Sequence, residues 1–107
     1  MDINTVSLSG ILKAIDKPKE AGTLFIVDAL LIVESKTREG EIKESLVRFS
    51  AFNNVAKALL SMSPGKMVFL NGYIGYNEYL KDGQKVFFNS IKASRIWEEA
   101  KDRRDYL

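Results

Sequence analysis

Histidine and cysteine are both absent from the 107 residues. Ser-His-Asp and Cys-His nucleophile systems, zinc fingers and histidine-bound metals are thereby excluded. Glu98 and Glu99 adjoin in a charged stretch, whereas acid–base catalysis needs an enclosed pair tuned by its surroundings. Gly72-Tyr73-Ile74-Gly75 looks glycine-rich, but neither a Lys-Ser/Thr pair nor a helix follows it, so it is no phosphate loop. These residues predict no enzyme, no cofactor, no metal and no small-molecule substrate. What they can do is bind. Rings that stack on bases and cations that follow phosphates are the two requirements of single-strand binding without sequence preference.

The elements that must position such groups read as strands. Residues 5–15 alternate apolar and small polar side chains, with Gly10 marking a bend. Residues 17–22 are a turn-rich break. Residues 23–34 form a second strand, with Phe25, Val27, Ala29, Leu31 and Val33 on one apolar face and a mixed face that includes Leu24, Ile26, Leu30 and Ile32. A charged hairpin loop follows over 35–44, then a third strand over 45–52. Asn53 or Asn54 can cap a helix carrying Val55, Ala56, Leu59 and Leu60 as one stripe, and Ser63-Pro64-Gly65 stops it. A long fourth strand spans 67–80, Asp82-Gly83 signals a hairpin, and a fifth strand spans 85–96. Residues 97–107 read as a short helix or a frayed tail.

Three strands, a helix and two strands predict an all-β protein: a five-stranded OB-fold barrel with one α-helix between strands three and four, in a single domain over 1–107. The length suits one domain. Hydrophobic residues at 46% and charged residues at 28% suit a packed core on a soluble protein, and the net charge of +2 permits a nucleic-acid partner without demanding one. No stretch reaches a membrane span, and Met1-Asp2-Ile3-Asn4 lacks the pattern of a signal peptide. The expected location is the cytoplasm, beside the nucleoid.

Parity then separates core from surface. With Val47, Phe49 and Ala51 inside, Arg48 and Phe52 point out. With Val68, Leu70, Gly72 and Ile74 inside, Phe69, Tyr73 and Tyr79 share the outer face, provided no bulge reverses it. An outward row of aromatics beside an arginine is a stacking surface. Each candidate has a plainer alternative. Phe52 could fill the core under the helix, and Tyr73 or Phe69 could sit at a subunit interface. Arg48 could pair with Glu78 or Glu44. Lys13, Lys43, Lys81 and Lys85 flank loops, where they contact phosphate or remain solvated. Trp97 covers a hydrophobic edge. The apolar part of the second strand's mixed face predicts self-association.

Asn4-Thr5-Val6-Ser7-Leu8-Ser9-Gly10, Val47-Arg48-Phe49-Ser50-Ala51-Phe52, Ser63-Pro64-Gly65-Lys66-Met67-Val68, Leu70-Asn71-Gly72-Tyr73-Ile74 and Tyr79…Asp82-Gly83-Gln84 resemble, in order and spacing, the bacterial single-stranded-DNA-binding proteins. Their primosomal replication protein N branch looks similar. The resemblance implies a homotetramer or homodimer that coats single-stranded DNA in replication, recombination or repair. It implies base stacking at Phe52 and Tyr79, beside Arg48. Leu46 stands where the family often has tryptophan, and Asn53-Asn54 where it has Gly-Lys. Both departures predict weaker binding. The family's acidic, phenylalanine-tipped tail has no counterpart in Arg103-Arg104-Asp105-Tyr106-Leu107. An OB-fold protein-interaction subunit and an RNA-binding OB module are the alternative functions.

Overall fold

Alternation of apolar and polar side chains sets the architecture. The structure, a computed structural model, describes residues 2–99. Strands β1 (Val6–Ile15), β2 (Lys19–Ala21), β3 (Leu24–Lys36), β4 (Ile42–Phe52), β5 (Met67–Lys81) and β6 (Gln84–Glu98) join in one sheet, with α1 (Asn53–Leu60) between β4 and β5. The order is β1-β5-β6-β4-β3-β2, and β1 also pairs with β3, so the five long strands close into a barrel. Only β4 and β6 run parallel, where Phe49, Ser50 and Ala51 face Ile91, Lys92 and Ala93. This is the OB-fold the element order predicts.

The barrel is filled by Leu12, Val27, Leu31, Phe49, Val68 and Leu70, and α1 closes one end with Ala56 and Leu59. Gly10 and Gly72 sit where a neighbouring strand's backbone leaves no room for a side chain. A Cβ on Gly10 would lie 2.2 Å from the Ile32 carbonyl oxygen, and one on Gly72 would lie 2.0 Å from that of Lys92.

Five local features differ from the sequence reading. The break at 17–22 contains β2, whose charged residues suit an exposed edge strand and hide its pairing with Phe25 and Ile26. The loop at 35–44 shrinks to 37–41, because β3 and β4 extend past the barrel with both faces in water. Phe52 occupies the N-cap of α1 without a side-chain cap. Asn53 has φ 51° and accepts the Phe25 N–H through Oδ1 at 3.0 Å, which staples the helix start to β3. Ile74 is exposed, because the β5–β6 hairpin outruns the barrel beyond Gly72. Trp97 lies within β6 opposite Phe69, not in a helix or tail; the remainder of that reading, beyond residue 99, lies outside the described residues. No helix among the described residues is long and apolar enough to cross a membrane.

Candidate nucleic-acid interface

On β4, alternation sends Arg48, Ser50 and Phe52 outward, opposite Leu30, Asp28 and Ile26 of β3. The β5–β6 arm rises beside them. β6 has a bulge: Asn71 pairs with Arg95 and Gly72 with Ala93, so Ser94 is skipped. The extra residue reverses the parity of β6 and turns Lys92, Ser90 and Phe88 to the same side as Arg95 and Trp97. β5 has no insertion, so Phe69, Tyr73, Asn77 and Tyr79 keep one common outer face.

Between the arm and β3–β4 lies an open groove of about 470 Å³. Phe52, Tyr79 and Phe88 supply its rings, and Lys19, Arg48 and Lys92 its cations. Tyr79 and Phe88 meet edge to face, centroids 5.8 Å apart, and each is nearly half exposed. Lys92 forms the floor at 8% exposure. Its Nζ donates to Asn77 Oδ1 at 2.8 Å and lies 5.2 Å from the centre of the Phe52 ring. Asn77 in turn donates to Ser90 Oγ at 2.8 Å, which fixes the amide. Burial pushes the Lys92 pKa below its usual value, opposed by the field of Asp28.

Three carboxylates partly neutralise the groove: Asp28 and Glu78 line it, and Asp16 reaches its arginine from beside it. Asp16 Oδ2 lies 3.3 Å from Arg48 Nη1. Asp28 accepts the Ser50 hydroxyl at 2.6 Å and pairs with Lys19 at 3.1 Å. Burial works against the Asp28 carboxylate, but Ser50, Lys19 and Arg48 outweigh it and hold its pKa below 3.8. A depressed acid stabilises the fold above its unfolded-state pKa, and that contribution is lost as pH falls through the folded-state value. Asp28→Asn should therefore lower the melting temperature at neutral pH, with the gap to wild type closing below about pH 4. Thermal melts of both proteins across the acid range check this, and a gap independent of pH would assign the loss to packing instead.

The groove brings together Arg48, Phe52 and Tyr79. Arg48 pairs with Asp16 rather than with Glu78 or Glu44. Phe52 is half-buried with its ring on the groove, not wholly in the core. Tyr73 does not line the groove; it is exposed on the same face of the arm and pairs across β5–β6 with Lys92, the residue of its floor. The four loop lysines do not line the groove. Lys13 is exposed in a β1 bulge, Lys43 sits opposite Ser35 far along the β3–β4 hairpin, and Lys81 and Lys85 flank the tip of the arm. Sequence reasoning missed Lys19, Asn77, Phe88 and Lys92. The spacing of Phe88, Ser90 and Lys92 was a usable signal for the last two, but the Ser94 bulge scrambles the alternation that would reveal it.

The fold is shared with solved single-strand-binding proteins. The chain superposes over 94% of its length on a deletion mutant of the single-stranded DNA binding protein from Thermus aquaticus, with TM-score 0.74 and 22% identity, and spans 52% of that chain, about half. It superposes over 94% on a Plasmodium falciparum SSB in complex with ssDNA, with TM-score 0.76 and 15% identity, covering 97% of that chain. The protein priB of Ralstonia solanacearum matches over 92% of this chain and 100% of its own, with TM-score 0.71 and 17% identity. No protein-family model matches the sequence, and no curated protein does. What these likenesses establish is the OB-fold.

Proposed function

We propose that this chain binds single-stranded DNA without sequence preference, by stacking bases on Phe52, Tyr79 and Phe88 while Arg48, Lys19 and Lys92 meet the phosphates. The observation that carries this is the groove itself, where three outward rings stand among three cations on one face of an OB barrel. Similarity in fold to a protein solved with ssDNA supports it. The role is to coat and protect strands opened in replication, recombination or repair, in the cytoplasm beside the nucleoid, with no chemistry performed. The working form is a homotetramer or homodimer of a single-domain chain, a reading supported by the exposed Leu24, Ile42 and Leu46 on β3 and β4.

The test is fluorescence anisotropy of labelled oligo-dT of about 16 nucleotides, near the upper site size of one OB-fold, at low and moderate salt. A duplex and an oligo-U of equal length run alongside. Salt-sensitive binding of oligo-dT well above the duplex is expected. No binding at low salt would sink the reading, and a preference for oligo-U would move it to RNA.

Asp16 makes a second expectation available. As long as it holds Arg48, a phosphate must displace it. Asp16→Asn should tighten binding severalfold at low salt and steepen the log–log salt slope by about 0.7, one further phosphate on a single strand. An unchanged slope would show that Arg48 meets no phosphate.

A further inference from the structure

The outer face of β5 and β6 continues past the groove. Beyond Tyr73 and Lys92 come Asn71 beside Arg95, then Phe69 beside Trp97. The Phe69 and Trp97 rings lie nearly parallel, centroids 5.7 Å apart at 14°. The Arg95 guanidinium lies over the indole, 4.7 Å from its centre. Arg95 has no carboxylate partner among the described residues. The two rings, with Ser7, Ser9 and Asn71, border a shallow hollow of about 210 Å³. The Ser7 hydroxyl donates to Asn71 Oδ1 at 3.1 Å across the β1–β5 pair.

This alternation of rings and cations repeats the chemistry of the groove on a surface continuous with it. From Tyr79 to Phe69 the strand runs about 34 Å at ~3.4 Å per residue, so the two ends belong to different nucleotides of one bound strand. A guanidinium held over an indole is preorganised for a phosphate or a base face.

We propose that a single strand leaving the groove passes over Tyr73 and docks on the Arg95–Trp97–Phe69 platform, a second contact that only longer strands reach. The proposal rests on the groove being a single-strand site. Trp97 is the chain's one tryptophan, so its emission reports this platform alone.

The experiment titrates the full chain with oligo-dT of about 5 and about 15 nucleotides, short and long within the OB-fold range, following both anisotropy and Trp97 emission. Sedimentation at the same concentrations accompanies it. The long oligonucleotide should quench Trp97 and bind more tightly, while the short one binds with emission unchanged. Arg95→Ala should weaken the long oligonucleotide about tenfold, the scale of one charge-assisted contact, and leave the short one unaffected. Binding of both lengths without quenching, or indifference to Arg95→Ala, overturns the platform and leaves the groove standing. Equal quenching by both lengths overturns it too, because Trp97 would then belong to the primary site. So does an indole already shielded from acrylamide in a sedimenting oligomer, because a second copy would then cover it. Failure of both lengths to bind at low salt removes the groove reading and the platform with it.

Discussion

Removing the rings of Phe52 and Tyr79 together lowers the affinity for oligo-dT by about 30-fold or more, at about 1–3 kcal/mol for each stacked base. The two residues stand on opposite walls of one groove, so their losses should be close to additive. The loss should also have a particular form. Neither ring carries charge, so the salt slope of binding should stay that of the wild type while the affinity falls at every salt concentration. Phe52 needs a further control, because the Lys92 ammonium lies over its ring. Phe52→Leu keeps apolar volume in the half-buried position but offers no face to a base. If stacking is the cause, leucine binds like alanine. If Phe52 acts by holding Lys92 and filling space, leucine binds like phenylalanine. Circular dichroism and sizing should match wild type, since neither side chain belongs to the buried set around Phe49 and Leu31. An unchanged dissociation constant for the double variant would place the strand elsewhere on the molecule.

The barrel was legible wherever one face of a strand meets the core and the other meets water. Val27, Ala29 and Leu31 announced β3 in this way, and Val47, Phe49 and Ala51 announced β4. The same parity predicted that Arg48, Phe52, Tyr73 and Tyr79 face outward, and they do. The signal failed where it had no second face to report. The hairpins beyond the barrel have water on both sides, so Ile74 read as core although nearly half of it is exposed. It failed again where a bulge interrupts the period. Lys92 is the most buried cation of the groove, yet counting back along β6 from the buried Ile96 puts it inside the barrel, because nothing in the residue types marks Ser94 as an insertion. The four loop lysines show the converse: basic residues near turns are easy to nominate, and the groove draws its cations from Lys19, Arg48 and Lys92 instead.

Gly72→Ala should cost about 3 kcal/mol or more, at the upper end for a single added methyl. The new Cβ would lie 2.0 Å from the Lys92 carbonyl oxygen, 3.0 Å from its carbon and 3.2 Å from the Ala93 Cα. All three are backbone atoms held in the β5–β6 ladder, so no rotamer change relieves the clash, and the strands must part. They would part at the bulge that turns Lys92 outward. Any folded fraction should therefore also lose the Lys92–Asn77 hydrogen bond and the seat of the ammonium over Phe52, and bind oligo-dT more weakly than its stability alone explains. Gly75→Ala is the matched control. The three atoms nearest its Cβ would be side-chain rather than backbone atoms, two on the Lys92 stem at 3.3 Å and one on the Tyr73 ring at 3.7 Å, contacts that shifts of a few tenths of an ångström relieve without parting the strands. Urea midpoints of the two variants measure the contrast. Equal midpoints would mean that β5 and β6 separate at Gly72 without penalty, in which case the bulge is not what fixes Lys92 in the floor of the groove.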